Sequence, residues 1–542
     1  MKRGHFQEKS EVSFTSQEAF ASMKDGVKKM RKNFLLVFLA LGLFFQLKPV
    51  LGKDPWADGL TKIQMMTEFI QNNYHQSVSE RELEEAAIKG ILRTLDPHSY
   101  FLDPRRFSRL TEEYKGKYYG LGIMIQKQGE KLVVLTPLEG TPAWRLGIQP
   151  GDVISHINGE STKPLSSYEA MQRLRGKKGT SVTITIVREG LDKPFDLTIE
   201  RAEIPLNSVR YAFMLSRDVG YIFINNFAET TTREFEEKMK MLTRKGLRKL
   251  ILDLRGNGGG TFVQAIEMAD EFLPRGTKIV SIKGRNPYYN REFRAFRNNQ
   301  YEDLPLVILI DRGSASASEI VSGAIRDNDR GLIVGERSWG KGLVQTVFPL
   351  APDAAVSITT AKYFTPSGLS IQRDYSHLED YLFSQNISRE NREVGFTQKG
   401  RKIYGQGGIE PDYEVKFSFK PLTARMLLRG LVFSYARKLV KGETALGRDP
   451  SWKNQTFDID FKADERVIQD YRAYLKSMKF KYTAEEFGES LEQIKRELER
   501  EIASALFGLE EGMKVYRLSD PVVLKALEIM PEAEELVAES SQ

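Results

Sequence analysis

Two loops about sixty residues apart hold the residue types best suited to breaking a bond. The first is Asp253-Leu-Arg-Gly-Asn-Gly-Gly-Gly260; the second runs from Arg312-Gly-Ser-Ala-Ser-Ala-Ser-Glu319 to Ser338-Trp-Gly-Lys-Gly-Leu-Val-Gln345. A serine at a helix start, a lysine within reach and a glycine-rich turn offering backbone N–H groups would make a hydrolase that needs no histidine. Lys341, between Gly340 and Gly342, is the candidate base. A solvated lysine titrates near ~10.4 and is protonated at neutral pH, so the role demands burial that strips its hydration. Trp339 is placed to exclude water; left exposed, the lysine would be a surface charge. Three hydroxyls compete, Ser314, Ser316 and Ser318. All sit near one helix start, and any of them could merely cap it. Residue types alone leave that choice open. A phosphate-binding reading of Gly256–Gly260 fails, because no Gly-Lys-Ser/Thr follows and Thr261 opens the next helix without an adjacent lysine.

The elements that must position these loops alternate. Strand Leu250–Leu254 leads through the glycines to a helical Phe262–Leu273, and strand Leu306–Ile310 leads through the serines to a helical Ser316–Arg326. Strand Val219–Asn225 precedes a helical Arg233–Leu242, and strand Leu332–Val334 and the alternating run Ala355–Tyr363 follow. Over residues 204–420 this predicts an α/β core with its active loops at strand ends. Residues 53–112 read as helical. Glu82–Leu95 places Leu83, Ala86, Ala87, Ile91, Leu92 and Leu95 on one face, and Asp96-Pro97 stops it. Residues 421–542 are helical and charged, as in Ala484–Leu506, and carry no motif. They read either as a docking or oligomerisation element or as a solvated extension.

Residues 113–203 form a separate strand-rich module. Gly120-Leu-Gly-Ile123, Leu132-Val-Val-Leu135, Gly140-Thr-Pro-Ala143, Leu146–Ile154, Ile157-Asn-Gly159 and the period-two run Val182–Val187 follow one another. This ordered set resembles a PDZ domain. In that reading the N–H groups of Leu121, Gly122 and Ile123, with Gly120 at the turn, capture a terminal carboxylate, and a strand edge adds the peptide as an extra strand.

The whole arrangement resembles the C-terminal processing peptidases, or tail-specific proteases, serine peptidases of the Ser-Lys type with a PDZ domain. Further matches are Leu95-Asp-Pro-His-Ser99, Thr365-Pro-Ser-Gly368, Ile371-Gln372, Gly400-Arg401 and Tyr404-Gly-Gln-Gly-Gly-Ile-Glu-Pro-Asp412. The resemblance covers roughly residues 60–415. It implies a multidomain α/β protein: a crotonase-like protease core, an inserted PDZ domain and helical parts at both ends. It selects Ser316 as nucleophile, Lys341 as general base, and Gln345 to orient the lysine amine. Gly260 and Ala317 then supply N–H groups to the oxyanion, while Ser318 and Glu319 support the turn and helix. The expected reaction is hydrolysis of a peptide bond through an acyl-enzyme, on protein substrates with accessible apolar C-termini, with the PDZ domain delivering the tail or gating the site. The rival reading is a non-catalytic PDZ adaptor of envelope proteins. A crotonase-like acyl-CoA enzyme is opposed by the PDZ module and the Ser/Lys spacing.

Composition bounds the rest. The 542 residues are 41% hydrophobic and 28% charged, enough for several packed domains. The net charge of +7 is concentrated at the N-terminus, where residues 1–33 hold eight Lys/Arg against four Asp/Glu. Nucleic acid is therefore not the expected partner. Cysteine is absent and the five histidines are scattered, so no cofactor and no metal are expected. Behind the basic leader 1–33, Phe34–Leu47 is uncharged and apolar save for Gln46, and Lys48 bounds it. Residues 34–52 read as a signal peptide or a membrane anchor, with everything after residue 53 outside the cytoplasm. An extracytoplasmic or periplasmic place in the cell envelope follows. An activating accessory protein and a homo-oligomer complete the expected partners.

Overall fold

The computed structural model describes residues 55–297, 301–351, 353–383, 389–390, 392–453 and 461–540. The leader 1–33 and the apolar segment 34–52 lie outside the described residues. Among the described residues, no helix is long and apolar enough to cross a membrane. The chain divides into two compact units, residues 1–87 and residues 88–542.

The first unit contains helix Pro55–Asn73, which leaves Leu60, Met65, Met66 and Phe69 exposed, and the beginning of helix Glu80–Leu92. Ser79 caps that second helix in exchange with Glu82. The helix ends three residues before the expected Leu95. The carboxylate of Asp96 instead binds forward, accepting from the His98 N–H at 2.8 Å and the Ser99 hydroxyl at 2.8 Å. Such Asx turns compete with helix continuation. Residues 100–102 correct the all-helical expectation for this region. Tyr100–Leu102 is a short strand, paired antiparallel with Ala354–Phe364.

In the second unit a six-stranded sheet carries the candidate loops. Its order is Val209–Met214, Val219–Ile224, Lys249–Asp253, Leu306–Ile310, Leu332–Gly335, Tyr413–Glu414. The first pair is antiparallel and every later pair parallel. Parallel strands bring the ends at Asp253, Ile310 and Gly335 to one edge, and the glycine and serine loops leave from there. Both faces are covered, which is why these strands read as continuous apolar runs. On one face Ile222, Leu250, Leu252 and Ile308 pack against Phe235, Met268 and Ala324 of the crossover helices. On the other, Tyr221, Ile251, Val307 and Leu309 pack against Val523, Ala526, Ile529 and Met530. Those last residues belong to the C-terminal segment. Helices Leu509–Leu518, Pro521–Glu528 and Met530–Ser540 thus form one wall of the core, rather than a solvated extension. Fully burying a side chain such as Ile251 stabilises by roughly 1.5–3 kcal/mol. The preceding helices from Pro421 to Phe507 build their own core around Tyr435, Tyr471, Phe487 and Leu498.

A second, antiparallel sheet joins Lys278–Gly284, Arg291–Arg294, Leu343–Ala351 and Ala354–Phe364 to Tyr100–Leu102. The strand-rich module is a third sheet, in the order Ile123–Gln128, Lys131–Pro137, Val153–Ile157, Ser181–Val187, Phe195–Glu200. Strand Phe195–Glu200 extends it beyond the period-two run Val182–Val187. The paired strands Lys117–Gly120 and Ala202–Pro205 tie the module's entry and exit together.

Candidate active site

The serine loop is a sharp turn from strand Leu306–Ile310 into helix Ala317–Asp327. Ser316 occupies the N-cap position at φ 55°, ψ −110° with no capping bond from its hydroxyl, a region that non-glycine residues enter only when the surroundings impose it. Of the three serines, only Ser316 lines the cavity of about 620 Å³ that opens here. The Ser314 hydroxyl is buried and donates to the Leu254 carbonyl at 2.8 Å; that of Ser318 donates to the Asn257 carbonyl at 2.8 Å. Both fasten the serine loop to the glycine loop.

Lys341, Gln345, Gly260 and Ala317 line the same cavity. Neither the Gly260 N–H nor the Ala317 N–H meets an acceptor among the described residues. The glycine loop is held on both sides of Gly260: the Phe227 N–H donates to Gly259 O at 2.9 Å, and the Thr261 N–H donates to Phe227 O at 2.7 Å. At φ +149° a Cβ on residue 260 would sit inside the Phe227 carbonyl, so only glycine fits. The buried Asn257 organises the rest. Its amide donates to Ile224 O at 2.9 Å and accepts from the Gly259 N–H at 2.9 Å, and its carbonyl accepts from the Ala315 N–H at 3.0 Å.

Burial lowers the Lys341 ammonium below the ordinary lysine value, while Glu319 and Asp96 pull the other way. Gly340 takes φ +91°, where a Cβ would press into the Arg373 side chain, and so brings this loop close. Gln345 donates to the Thr359 hydroxyl at 3.3 Å, which donates in turn to Asp96 at 3.1 Å. The Asp96–Ser99 turn therefore reaches the same network. His98 meets the Tyr381 hydroxyl at 2.6 Å. Burial, and then the neighbouring Lys341 charge, pull its imidazole down to about 4 against Asp96. At neutral pH it is uncharged.

Two groups here exceed what residue types suggested. Glu319, fully buried, does more than support the helix. One oxygen accepts from the N–H groups of Ser316 at 2.7 Å and Lys341 at 3.0 Å; the other accepts from the Gly340 N–H at 2.6 Å and the Ser338 hydroxyl at 2.5 Å. It brackets the two candidate residues through their backbones. Burial raises its pKa to about 7, against those four hydrogen bonds. The Tyr363 hydroxyl lies 2.6 Å from Lys341 O and 3.3 Å from Ser316 O, a second tie between the loops. The sequence signals were slight: an acidic residue in the helix's first turn, and an aromatic in a strand.

In the strand-rich module, Gly120–Ile123 enters the edge strand of its sheet. The N–H groups of Leu121 and Gly122 meet no acceptor among the described residues. The Leu121 carbonyl accepts from the Ala143 N–H at 3.1 Å and the Gly122 carbonyl from the Leu138 N–H at 2.8 Å, which fixes the loop from behind. Helix Ser167–Leu174 flanks the edge strand, with the Lys127 N–H donating to the Ser167 hydroxyl at 3.1 Å. Among the described residues no group of acidic and histidine side chains could hold a metal ion.

Comparison with known proteins agrees with this architecture. The Peptidase family S41 profile matches residues 218–377, a PDZ domain profile residues 133–188, and the "Activating protease CtpB N-terminal domain" profile residues 48–105. A "Carboxy-terminal-processing protease" of Bartonella bacilliformis is 39% identical over 394 residues, spanning 72% of this chain and 90% of that protein. "Carboxy-terminal processing protease CtpA" of Bacillus subtilis is 33% identical over 63% of this chain and 75% of its own length. CtpB of the same organism is 30% identical over 76% and 84%. The chain belongs to the carboxy-terminal processing proteases, PDZ-containing serine peptidases of family S41.

Proposed function

We propose that Ser316 is the nucleophile of this peptidase and Lys341 its general base. Neutral Lys341 takes the Ser316 hydroxyl proton as the oxygen attacks the scissile carbonyl. The Gly260 and Ala317 N–H groups hold the oxyanion, the lysine returns the proton to the leaving amine, and water then releases the acyl group. Gln345 orients the lysine amine. The observation that carries this reading is the gathering of all five residues on one cavity, together with burial that lowers the Lys341 ammonium.

The substrate class is protein with an accessible apolar C-terminus. Its carboxylate docks on Gly120, Leu121, Gly122 and Ile123, and its last residues extend the Ile123–Gln128 edge. The match of residues 48–105 to an activating-protease domain supports an accessory or self-associating partner at the N-terminal end. The basic leader and apolar residues 34–52 support a membrane-attached or exported protein of the cell envelope. The proposed domain limits are 53–112, 113–203, 204–420 and 421–542, with Tyr100–Leu102 and the helices after Leu509 packed onto the core segment.

The test is turnover of an unfolded protein with an apolar C-terminus by wild type and Ser316→Ala. Cleavage by wild type and none by the variant is the expected result. Equal turnover would end the serine assignment, and no cleavage by either would favour an adaptor.

A further inference from the structure

The C-terminal helices reach the start of the glycine loop through an ionic contact. Arg255, two residues beyond the end of strand Lys249–Asp253, has its guanidinium between two carboxylates. On one side, its Nε donates to Asp253 at 3.0 Å and a terminal nitrogen donates to the same carboxylate at 2.6 Å. On the other, its two terminal nitrogens donate to both oxygens of Asp520, at 3.1 and 2.8 Å. Asp520 belongs to the C-terminal segment, where it also caps helix Pro521–Glu528 through the Val522 N–H at 3.0 Å. Arg517 donates to Asp520 at 2.8 Å and lies over the ring of Tyr221, whose hydroxyl donates to Asp253 at 2.6 Å.

The cluster is two cations against two anions, nearly sealed from water. Asp253 is 0% and Asp520 4% exposed. Burial alone would raise the Asp253 carboxyl; the Arg255 guanidinium overrides it and holds the group below its ordinary value. Arg255 is part of the turn in which the Asn257 N–H reaches Leu254 O at 3.2 Å. Asn257 in turn holds the Gly259 N–H and the Ala315 N–H. A fixed guanidinium therefore fixes the start of the chain of contacts that ends at Gly260.

We propose that Asp520 is a positioning residue for the oxyanion loop: the C-terminal helices complete the catalytic unit by clamping Arg255 between Asp253 and Asp520. This rests on the assignment of Gly260 to the oxyanion. It gives the C-terminal segment a task in catalysis beyond covering the sheet.

Truncation would expose the apolar face that these helices cover, so point variants are the proper test. Asp520→Asn keeps the side chain's size and its ability to cap a helix but removes one anion from the cluster. Arg255→Lys keeps the charge balance and loses the planar fork that grips both carboxylates. For each full-length variant, kcat and KM on a tailed protein substrate are measured well below its melting temperature. Affinity for a peptide aldehyde, whose serine adduct places an oxyanion in the hole, is measured beside affinity for uncleaved peptide in the Ser316→Ala background. The expected result is a kcat loss of about tenfold, smaller than the roughly 10²–10³ for losing an oxyanion donor outright. KM and peptide affinity stay near wild type, aldehyde affinity falls with kcat, and the double variant is no worse than the poorer single one. A lowered melting temperature with kcat and aldehyde affinity intact in Arg255→Lys would overturn the proposal, whether or not Asp520→Asn accumulates. Activity surviving in Ser316→Ala would instead overturn the site assignment beneath it.

Discussion

At the scale of single residues, the bracket at Glu319 has the sharpest consequence. All four of its partners donate, since the Ser338 hydroxyl itself accepts from the Ile409 N–H and must give its proton to the carboxylate. Protonated, Glu319 would lose an acceptor site. Its pKa of about 7 lies above the usual 4.5, so the bracket is intact above pH 7 and fails as the pH falls through that value. Lys341, Arg373, Tyr363 and Tyr381 are the charged or titratable groups that sense it. Lys341 must also shed a proton to act, so two ionisations shape the acid limb of kcat/KM. Glu319→Gln, which turns one acceptor into a donor, is expected to cut kcat by about 10- to 100-fold through misplacement of the reacting atoms. Its acid limb should shallow from a two-proton to a one-proton slope. An unchanged slope across pH 5–8 (roughly the window that spans such a titration) would show that the bracket does not titrate with activity.

At the scale of elements, strands were the most legible part. Leu306–Ile310 appears with the bounds its apolar run gives, and Ser316 stands at the helix start where small residues follow such a run. Periodicity reads what one segment buries, and a strand buried on both faces announces itself. What it cannot read is pairing between distant segments. That is why a helical reading of residues 53–112 misses the strand Tyr100–Leu102, and why the grip of Asp520 on Arg255 is invisible until two segments 265 positions apart meet. The loop Gly120–Ile123, proposed above to hold the tail carboxylate, depends on a glycine. Gly122 sits at φ +79°, and a Cβ there would overlap the Thr141 side chain. Gly122→Ala must therefore displace the loop whose free N–H groups face the expected tail. KM for a protein with an apolar C-terminus is expected to rise at least about tenfold more than KM for a short tail-less peptide, the size of one lost charge-assisted contact. Equal changes for both substrates would remove the tail-docking role from this loop.

At the scale of the whole catalytic unit, the PDZ domain rests on the helices that follow the core, and the contact is loosely made. Glu189, in the turn after strand Ser181–Val187, pairs with Lys438 at 3.2 Å and Lys441 at 3.8 Å. Arg437 lies against Gly151 and Gln128 against Gly430. Beside these polar contacts is a cavity of about 730 Å³, walled by Met124 and Leu135 of the PDZ domain and by Val432, Phe433, Leu509 and Met513 of the helices. The cavity opens to solvent, so apolar packing between the domain and the helices is incomplete there. The ion pairs that remain are more than one-third exposed and contribute only about 0.2–1 kcal/mol each. They also weaken as salt shortens the screening length to about 3 Å at 1 M. These ion pairs therefore contribute little to the hold between the domain and the helices. Glu189→Lys sets like charges against Lys438 and Lys441, so amide exchange along Ile123–Gln128 and the facing stretch Leu431–Val440 is expected to speed up several-fold at low salt. The difference from wild type should shrink toward nothing at about 1 M salt, where the same charges no longer sense one another. Exchange that is unaltered by the reversal would mean that apolar contacts around the cavity, and not charge, hold the domain.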